Sequence, residues 1–137
     1  MNKIKATITA FESSGHISLV DLEAGGAAFS CVIIENPESA GYLKTGNEVS
    51  LLFKETEVSI AKNLSGEISL RNRIDSVITG LEKGAILTKI TLKFNGMEIR
   101  SIITTRSADR LELKPGDRVT GLIKANEISI MQRETDV

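Results

Sequence analysis

Apolar and polar residues alternate with a period of two along most of this chain. Ile4, Ala6, Ile8 and Ala10 alternate with Lys5, Thr7 and Thr9, the pattern of a strand with one buried face. Ile17–Leu22 reads as a second strand, closed by a turn at Gly25-Gly26, and Phe29–Ile34 as a third. Lys44-Thr45-Gly46-Asn47 is a turn signal, and Val49–Phe53 and Val58–Ile60 complete five strands. The same order then returns as Ile74–Leu81, Ile86–Phe94, Glu98–Ile103, Val119–Ile123 and Ile128–Ile130. Asn95-Gly96 is the clearest hairpin turn, since both residues tolerate positive φ. The one helical candidate, Thr105–Leu111, lies between the third and fourth strands of the second set. Pro37 marks the matching segment of the first set, where proline suits a first helical turn.

The repetition extends to individual residues. Lys44 and Lys114 each open a Lys-x-Gly turn, and an offset of 70 aligns the halves without a gap. That offset superposes Asn2 on Asn72, Ile8-Thr9 on Ile78-Thr79, Glu12 on Glu82 and Gly26 on Gly96. It also superposes Val49 on Val119, Lys54 on Lys124, Glu57 on Glu127 and Ser59-Ile60 on Ser129-Ile130. The chain reads as a tandem duplication, residues 1–64 and 65–137, with its joint near Leu64–Glu67. Five strands with a short helix between the third and fourth point to an all-β fold of two OB-like five-stranded barrels, each with one short helix. Each unit is small for an independent core, so packing of the two together, or on another chain, is expected to stabilise both.

Composition narrows the function classes. Apolar residues make up 41% of the 137 residues, enough for a core, and the net charge is −1. With a pI near 5.9 there is no global basic field to gather nucleic acid or anionic membrane. Aromatics are 4%, with no Trp, which disfavours base-stacking platforms. No apolar stretch is long enough to cross a bilayer, and Met1-Asn2-Lys3-Ile4-Lys5 runs into the alternating pattern without a signal-peptide core. A single cysteine, Cys31, excludes an internal disulfide and a cysteine zinc cage. A cytoplasmic protein without membrane insertion is expected.

At the joint between the units, Ser69-Leu70-Arg71-Asn72 places a hydroxyl, a guanidinium and an amide within four residues. Arginine offers a planar fork of donors and is never neutral, and serine adds a rotatable donor. The set suits a tetrahedral oxyanion. It also resembles the S-A-R-N signature of the molybdate/tungstate-binding Mop (molbindin) family of TOBE domains. Further markers follow in the family's order. Gly84-Ala85 resembles its G-A-V-N-A-E-V turn, Thr104-Thr105-Arg106-Ser107 its T-x-x-S, Lys114-Pro115-Gly116-Asp117 its K-x-G-D and Ile123-Lys124-Ala125 its I-K-A. Together they cover nearly all of Ser69–Ile130, whereas Asn2–Ala61 matches only in outline. The whole chain is similar to the C-terminal regulatory region of molybdate-importer ATPases, without the ATPase.

The resemblance implies two OB-like barrels and an oxyanion site made of Ser69, Arg71, Thr104, Ser107, Lys124 and Ala125. Arg71 and Lys124 would match the two charges of molybdate, which is costly to enclose uncompensated. Ser69, Thr104 and Ser107 would supply hydroxyls, and Ala125 a closely approaching backbone N–H. Leu70 stands where the family has alanine, with its side chain expected to point away from its neighbours. Thr104 and Ser107 also suit the plain role of helix caps.

The first unit departs from this pattern. Lys54 matches Lys124, but Ile34 stands for Thr104, Pro37 for Ser107 and Glu55 for Ala125, and the matches of Ser69 and Arg71 would fall before Met1. It is expected to be a degenerate repeat without an equivalent site. Leu87 replaces the asparagine of the family's secondary anion sites and Ser14-Gly15-His16 the matching turn, so those sites are not expected. His16 reads as a surface residue without metal partners, Cys31 as inert core, and Glu55 and Glu57 as a solvated strand edge. No catalytic constellation and no metal site are visible, and no covalent cofactor is expected.

The expected protein therefore binds molybdate or tungstate for storage, homeostasis or sensing and is not an enzyme. Alternatives are a regulatory subunit of a molybdate importer, with the importer ATPase as partner, and, from another class, an OB-type nucleic-acid binder. The anion site is expected to be shared between chains, because in the family the leading Ser-x-Arg segment reaches across to a neighbour, and similarity to the importer regulatory region favours a homodimer over a homotrimer.

Overall fold

A computed structural model describes residues 1–132 of the chain. The first unit contributes strands β1 (Asn2–Ser14), β2 (Ile17–Ala24), β3 (Ala27–Ile33), β4 (Glu48–Phe53) and β5 (Ser59–Ala61). The second contributes β6 (Asn72–Lys83), β7 (Leu87–Phe94), β8 (Met97–Thr104), β9 (Arg118–Ile123) and β10 (Ser129–Gln132). One α-helix, α1 (Thr105–Arg110), follows β8, and 3-10 turns at Glu55–Glu57 and Ala125–Glu127 precede the last strand of each unit. The alternation works as the side-chain geometry of strands requires. Asn2, Ile4, Ala6 and Ile8 are buried while Lys3 and Lys5 are exposed, and Asn72, Ile74, Ser76 and Ile78 repeat this beside Arg73 and Asp75. Even the irregularities repeat, since the register of β1 slips between Ile8 and Ala10 and that of β6 between Ile78 and Gly80.

The strands form two antiparallel five-stranded sheets, ordered β10-β4-β1-β2-β3 and β5-β9-β6-β7-β8. Each sheet curls until its edges approach, β10 packing on β3 and β5 on β8, which gives two OB-like barrels. The fifth strands lie where the alternation places them, but they are exchanged. Ser59 pairs with Leu122 of β9 and Ser129 with Leu52 of β4, so each barrel is completed by the other unit. The 3-10 turns redirect the chain from one barrel to the other.

A reciprocal pair of asparagines fastens the units. Asn72, fully buried, accepts a hydrogen bond from Ser30 N at 2.7 Å and donates to Ser30 O at 2.8 Å and Ile123 O at 3.1 Å. Asn2 accepts from Arg100 N and donates to Arg100 O, both at 2.8 Å. Ser30 and Arg100 are separated by the same offset of 70 as the two asparagines, so an approximate two-fold axis relates the units. The hairpin tips meet on it, Asn95 Nδ2 donating to Gly25 O at 2.7 Å. One apolar core runs through both barrels, with Phe29 and Phe94 rings 6.4 Å apart.

The segments between the third and fourth strands differ. Thr104 Oγ1 caps α1 by accepting from Ser107 N at 3.1 Å. Its match, Ile34, has no oxygen to offer. Here Asn36 Oδ1 accepts from Glu38 N and Ser39 N, both at 3.0 Å, and an Asx turn stands where the sequence pattern predicts a helix.

Gly84 has a packing role. It donates its N–H to Leu87 O at 2.9 Å, and a Cβ there would lie 2.6 Å from that same oxygen. Thr105 seals the turn by donating N–H to Ile86 O at 2.8 Å and Oγ1 to Gly84 O at 2.7 Å. Gly84→Ala should open the turn and cost about 1–3 kcal/mol, on the scale of overpacking together with a lost hydrogen bond. Urea denaturation measures this, and an unchanged midpoint would show that the turn relaxes freely.

Candidate functional site

Pairing of β6 with β9 sets the first part of the site. Asn72 stands opposite Ile123, so the residues just outside that pair, Arg71 and Lys124, leave the sheet side by side. Ser69, Arg71 and Lys124 are exposed, while Leu70 and Ala125 are half-buried. Leu70 therefore faces away from Ser69 and Arg71, as alternation predicts. Ala125 opens the 3-10 turn that packs on β3 of the first unit, and Asn126 lines a cavity with Ile33, Ile34 and Glu35. Three of the six predicted residues, Arg71, Lys124 and Ala125, thus lie where the second unit meets β3, and Ser69 leads into Arg71 along the chain.

Thr104 and Ser107 lie elsewhere. Thr104 ends β8, and β8 receives the other 3-10 turn, Glu55–Glu57, and the Asn2 clamp. Thr104 Oγ1 donates to Ser107 Oγ at 2.9 Å while accepting from Ser107 N, so the two hydroxyls form one small cluster. The approximate two-fold axis makes the two locations equivalent. One sets the Ala125–Glu127 turn against β3, with Asn126 sharing a cavity with Ile34, and the other sets the Glu55–Glu57 turn against β8, the strand that ends at Thr104. The offset of 70 and the clamp register together correct one sequence expectation, that the match of Arg71 falls before Met1. Asn2 answers Asn72, so Met1, rather than a position before it, answers Arg71. The amino group of Met1 pairs with the Glu55 carboxylate, and that hydrogen bond holds Glu55 below the ordinary carboxylate range.

Two residues near Arg71 carry no sequence signal. Arg71 Nη2 lies 3.5 Å from Ser30 Oγ and 3.9 Å from Asp21 Oδ1, and Ser30 Oγ donates to Asp21 at 2.6 Å. Both belong to the first unit, and their matches, Arg100 and Thr91, have different chemistry. Only the fold brings them to Arg71, through the Asn72 clamp on Ser30. Cys31 is fully buried, and burial, aided by the Asp21 charge, pushes its thiol up to about 12, so it is protonated and inert at neutral pH. Among the described residues no group of three or more His, Cys, Asp or Glu side chains is placed to hold a metal ion, and no helix is long and apolar enough to cross a membrane.

Two interlocked OB-like barrels with a basic pair at one junction and a hydroxyl cluster at the other define a tandem small-barrel protein. A TOBE domain model matches residues 68–130. Molybdenum-pterin-binding protein 1 of Clostridium pasteurianum is 35% identical over 65 residues, 47% of this chain and 96% of that protein. MopA of Rhodobacter capsulatus, also a molybdenum-pterin-binding protein, is 32% identical over 126 residues, 90% of this chain and 46% of its own length. The chain therefore belongs to the TOBE-domain Mop family. The molybdenum import ATP-binding protein ModC of Brucella abortus is 32% identical over 89% of this chain, which spans only 32% of that protein. The solved structure of the cytoplasmic molybdate-binding protein ModG, with molybdate bound, superposes with a TM-score of 0.91 at 29% identity, covering 96% of each chain.

Proposed function

We propose that this protein binds molybdate or tungstate in the cytoplasm, for storage, homeostasis or sensing, and that no bond is made or broken. The end-to-end similarity to molybdate-bound ModG carries this reading. Its chemistry is supported by Arg71 and Lys124 leaving one sheet side by side. Two cations can balance a dianion, and hydroxyl and N–H donors can satisfy its oxygens. The proposed ligands of the anion are Ser69, Arg71, Thr104, Ser107, Lys124 and Ala125, all in residues 65–137, with residues 1–64 as the degenerate repeat.

Calorimetry with molybdate, tungstate and sulfate tests the reading. Molybdate and tungstate should bind, with sulfate much weaker, because donors spaced for a larger tetrahedron cannot all reach a smaller one. Ligand at a hundred times its dissociation constant should also add about 2.7 kcal/mol to folding stability. Equal competition by sulfate would rule the assignment out.

A second reading is favoured by one observation, the match to ModC over 89% of this chain. As a regulatory subunit the protein would dock on an importer ATPase and report internal oxyanion. Co-purification with the transporter at high salt separates that role from storage.

A further inference from the structure

The Arg71 guanidinium already faces a carboxylate supplied by the first unit. Its Nη2 lies 3.9 Å from Asp21 Oδ1 and 3.5 Å from Ser30 Oγ, and Ser30 Oγ donates to the same carboxylate oxygen at 2.6 Å. The main chain fixes this meeting from both sides. Asp21 of β2 and Ser30 of β3 stand opposite each other in the sheet. Asn72, the residue after Arg71, holds Ser30 by its N–H and its C=O. The carboxylate is therefore held where the guanidinium emerges, while the arginine side chain itself, 65% exposed, is free to turn away.

The fold does not require a carboxylate at this place. The matching pair in the second unit, Thr91 opposite Arg100, occupies the same register with no acid in either position. Asp21 is thus a feature of the Arg71 side of the molecule alone, and its ion pair with Arg71 is half-exposed, a geometry that adds little to folding stability.

Its consequence for an anion is larger. Arg71 and Lys124 can balance a dianion while both charges are free. Asp21 cancels part of the first. An oxyanion that reaches Arg71 has to share the guanidinium with the carboxylate or displace it, and two anions beside one cation repel each other.

We propose that Asp21 sets the affinity of the oxyanion site by competing for Arg71: it neutralises the guanidinium while the site is empty and gives it up when the anion binds. The inference rests on the proposed oxyanion binding and concerns the regulation of that same site. The competition is one of charge, so it depends on the charge of the anion and on ionic strength and not on anion size. Molybdate and tungstate are therefore affected alike, and the site releases either of them at a higher free concentration than two unopposed cations would allow.

Calorimetric titration of the full chain with sodium molybdate tests it. Asp21→Asn removes the charge and keeps an oxygen for the Ser30 hydroxyl, so the contact between β2 and β3 survives. Asp21→Ser removes the charge with a smaller side chain and serves as the second variant. Both should bind molybdate roughly three- to tenfold more tightly at low salt, and tungstate should gain by the same factor. The gain should shrink toward about 1 M salt, where charges are screened beyond about 3 Å. In an Arg71→Ala background the same exchange should gain less than about twofold, and this failure of additivity measures the competition. Unchanged or weaker binding by Asp21→Asn overturns the proposal, since Asp21 would then be inert or would orient Arg71 for the anion. Equal gains with and without Arg71 overturn it as well, since the carboxylate would then act on the anion directly. If neither the wild type nor Asp21→Asn binds molybdate at any salt concentration, the functional reading fails first and this inference with it.

Discussion

Asn72→Ala should unfold the protein more readily than any other exchange considered for this chain, by about 3–5 kcal/mol. Three hydrogen bonds end on that one side chain, from Ser30 N and to Ser30 O and Ile123 O, and it has no exposed surface. Each bond contributes roughly 0.5–1.5 kcal/mol, and each buried group left without a partner costs about 1–3 kcal/mol. Alanine leaves a buried donor and two carbonyls unpaired where water has little access. Asn72→Asp should be nearly as damaging, because a carboxylate keeps the acceptor but loses both donations and buries a charge. Asn2→Ala should cost less, since Asn2 makes two such bonds and is slightly exposed. Urea unfolding checks this through a lower midpoint with an unchanged slope. A loss under about 1 kcal/mol for Asn72→Ala would mean that the reciprocal clamp does not hold the units together.

The fold is legible in the sequence because its dominant signal is local. A period of two marks buried and exposed positions strand by strand, and the offset of 70 duplicates even the bulge beside Ile8 and Ile78. Alternation reports which face of a strand is buried and says nothing of which sheet the strand joins. That is why Val58–Ile60 and Ile128–Ile130 read as strands, while their exchange between barrels leaves no mark in the pattern. The missing helix of the first unit has its cause in Ile34, which stands at the capping position that Thr104 fills. Of the candidate site, Arg71 and Lys124 are legible as charges in a motif. Their adjacency needs the register of β6 on β9, and the separation of Thr104 and Ser107 from them needs the two-fold relation between units. Asp21 beside Arg71 has no signal at all, because the contact crosses from one unit to the other through the clamp on Ser30.

Arg71→Ala and Lys124→Ala should each weaken molybdate binding, by about 1.5–3 kcal/mol, the range for hydrogen bonds to charged groups. That corresponds to roughly 10- to 150-fold in the dissociation constant. A larger loss, as for a fully buried ion pair, is not expected, because the Arg71 side chain is 65% exposed and solvent screens its field. Arg71→Lys should recover only part of the loss, since an ammonium cannot reproduce the planar fork that meets two oxygens at once. Lys54→Ala is the internal comparison. Lys54 answers Lys124 across the two-fold relation, with the same backbone setting before a 3-10 turn, but its junction carries Glu55 where the other carries Ala125. Its removal should leave affinity unchanged within about twofold, less than about 0.5 kcal/mol. Calorimetry on the three variants decides the matter. A Lys54 effect as large as that of Lys124 would show that the first unit carries a working site despite Glu55, and that the division of labour between the two units runs the other way.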